Sequence, residues 1–171
     1  MKGGVIAGAV LLLAACTAPI PADVELVSVD AAAPKGATLA AGVLPAGFTA
    51  DEARRPLKVA IASRVNLVRF VTFNDYSLNV EARFCDDDQT VVASGIYWQG
   101  TELVPGGPDP IQANKQARDD LVAYSFFMDA GKAAAHTGDI CFNVAGGNAD
   151  RGYRSNTVVI PQIEIELALR R

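Results

Sequence analysis

The side chains that could do chemistry in this sequence are three cysteines, a single histidine and a run of three aspartates. The run Asp86-Asp87-Asp88 offers carboxylate oxygens, which calcium prefers, but it lacks the internal glycine and the distant glutamate of a calcium loop. His136 has no CxxC pair to complete a zinc site, and Ser94-Gly95 lacks the flanking glycine of a nucleophile elbow. These patterns predict a solvated acidic turn and an exposed histidine, with no catalytic residues, metal or cofactor.

The first sixteen residues have the pattern of an export signal. Lys2 supplies a positive start. The uncharged run 5–15 has about eleven residues, which suits a signal sequence but falls short of the roughly 20 needed to cross a bilayer. The run ends with a leucine and two small residues before a cysteine: Leu13-Ala14-Ala15-Cys16.

This ending resembles the lipobox of bacterial lipoproteins. The resemblance implies removal of residues 1–15, a thioether-linked diacylglycerol on Cys16 and acylation of the new amine. Several chains hold a protein stably in a bilayer, because each buried methylene contributes roughly 0.8 kcal/mol. In that family an aspartate after the cysteine retains the protein in the inner membrane. Thr17 stands there instead, so we expect the periplasmic face of the outer membrane, with the inner membrane as the alternative. An ordinary secretory signal with an accidental cysteine is the rival interpretation.

Two thiols remain once Cys16 carries lipid. Cys85 and Cys141 form an even pair in an oxidising compartment, which predicts a disulfide. It would close a loop of 56 residues, and the chain-entropy model gives such a loop about 4 kcal/mol of stability. Two buried free thiols are the alternative.

From residue 57 onward the pattern indicates short β-strands separated by turn residues. We predict an all-β domain over 56–171, an antiparallel β-sandwich, joined to the signal by an Ala/Pro/Gly-rich tether over 16–55. The spacing of Cys85, Trp98 and Cys141 is similar to that of immunoglobulin domains, although Asp139 stands where that family has tyrosine. The expectation is therefore immunoglobulin-like architecture without family membership. The predicted strands are 57–62, 65–73, 77–84, 91–98, 121–128, 139–145 and 156–160, with another possible at Val24–Val29.

The clearest strand pair is 77–84 with 91–98. The first strand alternates between buried and exposed residues, with Leu78, Val80, Ala82 and Phe84 on the buried face. Placing Cys85 opposite Thr90 would keep apolar residues together, and it would pair Val80 with Gly95 and Ala82 with Ala93. These small pairs could leave a cavity between the sheets. Both cysteines fall on the outward-facing series, so we expect the disulfide near the rim or outer side.

An apolar strip on the second strand of this pair is a candidate binding surface. In the same register Val92, Ile96 and Trp98 share the face opposite the core, which suggests contact with a partner. The alternative is that the loop 99–120 covers them, with a short helix over 111–120. Gly146-Gly147 is interpreted as a loop, and the tail 161–171 as a strand by its alternation, although Pro161 could also begin a helix.

The overall charge limits the choice of partners. A net charge of -4 and a pI near 4.9 argue against nucleic acid and against purely electrostatic binding to anionic lipid. We expect a non-enzymatic binding or assembly module, held at the membrane by lipid on Cys16, whose partner is an unknown envelope protein. The alternatives are a carrier of an apolar ligand such as lipid and an envelope hydrolase.

Overall fold

The computed structural model describes residues 23–32, 44, 45, 48, 56–107 and 121–171. Within them the chain is mainly β-strand, with three helices. The strands are β1 (Val24–Ala31), β2 (Leu57–Ser63), β3 (Ser77–Phe84), β4 (Thr90–Val91), β5 (Tyr97–Trp98), β6 (Thr101–Glu102), β7 (Val122–Met128), β8 (Ile140–Gly147), β9 (Gly152–Arg154) and β10 (Val158–Ile160). The helices are α1 (Leu67–Phe73), α2 (Ala130–Ala135) and α3 (Gln162–Arg170).

The strands form two antiparallel sheets. The order in the first sheet is β1-β2-β7-β5-β6. The order in the second is β10-β8-β3-β4, and β9 pairs with β8 as well. The fold is therefore mainly antiparallel β, as the sequence predicted.

Hydrogen bonds connect the two sheets in two places. In the first, the chain leaves the second sheet after β4 and reaches β7 in the middle of the first sheet, because Val91 pairs with Ala82 while Ala93 bridges to Met128. In the second, the Asn156 amide accepts the N–H of Val24 at 3.0 Å and donates to the Val24 carbonyl at 2.9 Å. The sheets consequently enclose a common core.

The inward faces of β2, β3, β7 and β8 form the centre of the core, and the helices add buried residues to it. β3 alternates as predicted, with every second residue buried from Leu78 to Phe84. Phe126 from the first sheet meets Phe142 from the second edge to face, with ring centroids 5.0 Å apart. Both rings are fully buried, so they hold the two sheets together at the centre of the domain.

The predicted strand over 65–73 is wrong, because α1 occupies most of it. The branched and aromatic residues suggested a strand, yet Leu67, Val68 and Val71 place one helical face in the core. The side chain of Asn66 caps the helix by accepting the N–H of Arg69. Tyr124 in β7 adds an acceptor that the local sequence does not contain, since its hydroxyl accepts the N–H of Leu67 at 2.9 Å.

The strand predicted for the tail is also wrong. α3 begins after Pro161, and the N–H of Gln162 donates to Asp139 Oδ1 at 2.9 Å. The alternation that suggested a strand contains Ile165 and Leu169, which are four residues apart and therefore also share a helical face. Ile165 is fully buried, whereas Ile163 remains exposed. Packing of one face of α3 against the rest of the domain outweighed the alternation of apolar residues that suggested a strand.

The predicted register of the β3 hairpin differs from the structure by two residues. Thr90 lies opposite Arg83 rather than Cys85, and Val91 lies opposite Ala82. A shift of two residues keeps the same face inward, so the predicted burial survived the error. The predicted strand 91–98 is also broken, because the chain leaves β3 after Val91. The small pairs that suggested a cavity do not form, since Ala93 bridges to β7.

Two further predictions concern the segment 24–29 and the glycines 146 and 147. The strand at 24–29 is confirmed as β1, which pairs with β2 in the first sheet, so this part of the predicted tether belongs to the body. Gly146 and Gly147 lie at the end of β8, not in a loop. A Cβ on Gly146 would overlap the Ser77 carbonyl oxygen, so this pairing requires glycine. The predicted helix over 111–120, and Cys16 itself, lie outside the described residues.

Candidate functional site: an outer groove beside strand β3

The outward face of the second sheet carries a polar band that includes the cysteine pair. Arg83 in β3 lies opposite Cys141 in β8, and the N–H of Cys85 donates to the Asp139 carbonyl at 2.9 Å. The sulfurs of Cys85 and Cys141 lie at disulfide-bonding distance, with their Cα atoms 5.1 Å apart. Cys85 is exposed and Cys141 half-buried, so the pair is on the outer side as predicted.

A groove of about 520 Å³ opens beside β3 where the chain leaves it after β4. One wall is formed by 80–83 of β3 and the other by 90–93. Its volume lies in the range of small-molecule and peptide pockets, roughly 300 to 1,000 Å³. The groove is the candidate binding site of the domain.

Charged side chains at the groove are arranged in opposite pairs. Arg83 Nη1 lies 3.1 Å from Asp88 Oδ1, and the Arg154 guanidinium contacts the Glu81 carboxylate. All four side chains are substantially exposed, so each pair contributes little to stability. A side chain in such an exposed pair can leave its partner and bind a charged group of a ligand at a small cost in free energy.

Part of the edge of β3 at the groove has no strand partner among the described residues. The N–H of Cys85 points toward β8, whereas the N–H of Phe84 donates to Gln89 on the β4 side. By alternation, the backbone groups of Val80 also point to the β4 side. In the part of the chain that the structure describes, β4 pairs only with Ala82 and Arg83, so this edge of β3 has no strand partner before Ala82. An extended peptide could add a strand there.

The three residues predicted to bind a partner are not brought together on the surface. Ile96 and Trp98 are 0% and 6% exposed, and both belong to the core cluster. The prediction of an exposed strip is therefore wrong for Ile96 and Trp98. The strand breaks after Val91, so the residues beyond the break no longer follow the inward and outward alternation of a continuous strand. Val92 is 52% exposed and lines the groove.

His136 is half-buried rather than exposed, and it connects α2 to the acidic turn. Its ring stacks on Phe84 with centroids 3.8 Å apart, and Nε2 lies 3.2 Å from Asp87 Oδ2 and 3.8 Å from Asp86 Oδ1. Nδ1 accepts the N–H of Gly138 at 2.9 Å, which places the proton of the neutral ring on Nε2. A metal ion on Nε2 would require the ring proton to move to Nδ1, where the N–H of Gly138 already donates, so these bonds favour a structural link between α2 and the acidic turn. Neither of these two hydrogen bonds of the His136 ring, with Asp87 and with Gly138, involves a serine hydroxyl.

Sequence reasoning missed a buried polar group near α1. Asp23 is almost fully buried, and burial raises the pKa of its carboxyl group, an effect that the nearby Arg64 partly opposes. Burial likewise raises the pKa of Tyr124 to about 12 and also raises that of Tyr153. Among the described residues, Asp23 Oδ2 and the Tyr153 hydroxyl have no hydrogen-bond partner. The sequence predicted a strand over 121–128, which contains Tyr124, but neither Asp23 nor Tyr153 belongs to a predicted strand.

Comparison with models of known protein families finds none that matches this chain, and comparison with curated proteins also finds no match. Among the described residues, no helix is both long enough and apolar enough to span a bilayer. The functional interpretation therefore depends on the residues themselves.

Proposed function

We propose that this chain is a lipoprotein of the bacterial envelope, anchored by lipid on Cys16, whose β-domain is a non-enzymatic binding or assembly module. The motif Leu13-Ala14-Ala15-Cys16 carries the proposal. The pairing of Cys85 with Cys141 supports it independently, because structural disulfides persist mainly in exported proteins. The two packed sheets support a sandwich of immunoglobulin-like architecture as a rigid scaffold for binding.

The lipid anchor is tested by the intact mass of the protein extracted from membranes with detergent. We expect removal of residues 1–15 and a mass increase equal to a diacylglycerol plus one acyl chain. Cys16→Ser should abolish the increase and leave the chain in the soluble fraction or with its signal uncleaved. An unmodified Cys16 in a membrane-bound chain would refute the proposal.

The membrane in which the protein resides is tested by a second variant. Thr17→Asp places an aspartate after the cysteine, which resembles the inner-membrane retention signal. We expect the wild-type chain in the outer-membrane fraction of a density gradient and the variant in the inner-membrane fraction. Thr17→Asn is the matched control and should behave as wild type. If all three chains are found in the inner membrane, the outer-membrane assignment is wrong while the anchor stands.

We propose that the groove beside β3 receives an extended segment of another envelope protein. Two observations support this choice: the edge of β3 before Ala82 has no strand partner in the described part of the chain, and the ion pairs at Arg83 and Arg154 are exposed. A photoreactive phenylalanine at Val92 should crosslink to a partner, and the adduct should decrease with Arg154→Glu. The matched control carries the photoreactive phenylalanine in place of Val159, which is 46% exposed on β10, the opposite edge strand of this sheet. Equal crosslinking from both positions would refute a role for the groove.

A further inference from the structure

The described part of the domain begins only a few residues after the proposed lipid site. Asp23 is the first described residue, and its N–H donates to the Asn156 side chain at 3.1 Å. Only residues 17–22 separate it from Cys16. Seven residue steps of a fully extended chain span at most about 25 Å. Wherever the lipid enters the bilayer, Asp23 must lie within that distance.

Asp23 belongs to one end of the domain, which we call the α1 end and define by Asp23, Arg64 and helix α1. Val24 pairs with Ser63 at the end of β2, and the N–H of Arg64 donates to the Asp23 carbonyl at 3.1 Å. The chain then enters α1, so this helix lies beside the point where the body meets its anchor. The acidic turn 85–89 follows the far end of β3 and lies at the opposite end.

The reach of the anchor favours one orientation of the domain. β1 has eight residues and is therefore about 26 Å long, which is as long as the greatest extension of residues 17–22. With the α1 end turned away from the bilayer, the linking residues would have to run back along the whole body at full extension. With the α1 end toward the bilayer, residues 17–22 can connect Cys16 to Asp23 without being fully extended.

The surface of the α1 end suits the headgroup region of a bilayer. Phe73 is 49% exposed, and the Arg69 guanidinium lies 5.6 Å from its ring centroid. Leu121, next to the β7 residue that pairs with Ser63, is also exposed. Aromatic rings and long cationic side chains are favoured at membrane–water interfaces. The α1 end also carries the exposed Asp75, but the opposite end carries the denser run Asp86-Asp87-Asp88, which anionic headgroups repel more strongly.

We propose that the α1 end rests on the bilayer that holds the lipid anchor, with Phe73 and Leu121 in the headgroup region. This inference rests on the proposed lipidation of Cys16. It orients the domain so that the groove beside β3 faces sideways and the acidic turn faces away from the membrane. A partner in the same compartment can then reach the groove without displacing lipid.

The test uses the full lipidated chain in vesicles of phosphatidylethanolamine with a minor fraction of phosphatidylglycerol. A photoreactive phenylalanine replaces Phe73 in one variant and Ile163 in another. Ile163 is the matched control, because it is 56% exposed on α3, away from α1. Lipid adducts are measured by mass spectrometry after irradiation. We expect lipid adducts from position 73 at several times the yield from position 163.

A second measurement avoids replacing Phe73. Hydrogen exchange of the wild-type chain is compared between vesicles and detergent-free Cys16→Ser protein, and added protection is expected in 64–75 but not in 85–90. Equal or greater lipid adduct yield at position 163, or unchanged exchange in 64–75, would overturn the inference while leaving the anchor intact. A chain whose mass shows no lipid on Cys16 would overturn both the anchor and the inference.

Discussion

Removal of the disulfide should destabilise the domain strongly, although the two cysteines contact little of the core. Cys85 and Cys141 lie on the outward face of the second sheet, so Cys85→Ser together with Cys141→Ser leaves no cavity among buried residues. The main effect is therefore on the unfolded chain, which loses a crosslink closing 56 residues. The chain-entropy model gives about 4 kcal/mol at 25 °C for a loop of that length.

A loss of about 4 kcal/mol lowers the folding equilibrium constant about a thousandfold. In guanidinium chloride, with a slope of about 4 kcal/mol per molar, the unfolding midpoint should fall by about 1 M. Trp98 is the only tryptophan and is buried, so its fluorescence reports loss of the core. All samples carry Cys16→Ser, which removes the third thiol and any lipid.

Two controls separate the crosslink from the side chains. The Cys16→Ser chain with both other cysteines intact, treated with dithiothreitol, should match the variant that lacks them. Asn79→Ser changes another outward-facing residue of β3 and should shift the midpoint very little. A double variant whose free energy of unfolding falls by less than about 1 kcal/mol would refute the reasoning, because the crosslink would then not be restricting the unfolded chain.

Three further predictions concern buried groups, each measured by chemical unfolding. Gly146→Ala should cost at least about 1–3 kcal/mol, because its Cβ would overlap the Ser77 carbonyl, whereas Gly152→Ala has room and should cost much less; similar costs would contradict the close approach. Asp23→Asn should stabilise the domain at pH 7, because the raised pKa of Asp23 makes wild-type stability fall as pH rises above about 3.8. The difference in free energy of unfolding between variant and wild type should therefore vanish below that pH, and a pH-independent difference would contradict the prediction. Tyr124→Phe should cost about 1–3 kcal/mol, because it leaves the buried N–H of Leu67 without its acceptor; a cost near zero would show that this bond is dispensable.

Periodicity in the sequence was enough to predict the inner faces of the central strands. Alternation along β3 and β8 places Leu78 and Phe142 inward, and the structure buries both. The same alternation placed Cys85 and Cys141 outward, and their pairing on the outer side is confirmed. These predictions succeeded because a strand with one buried face shows its orientation in every second residue.

The candidate site could be predicted only in part. Val92 was identified as an exposed apolar residue and does line the groove, but Ile96 and Trp98 were assigned to the wrong side. The groove exists because the chain leaves β3 after Val91 to reach Met128 in the other sheet. No local residue pattern marks that departure, since its hydrogen bonds are made with strands distant in sequence.

By itself the sequence determined the pairing of the two cysteines and the inward faces of the central strands, and it contains the residue pattern on which the proposed export rests. The tertiary structure decided where helices replaced strands, how far the hairpin register extends and at which end of the domain Asp23 lies. Tyr124 supports α1 from a distant strand, and the body buries one face of α3 around Ile165. Such contacts join residues far apart in the chain, and their energy outweighs local preference only once the body has folded.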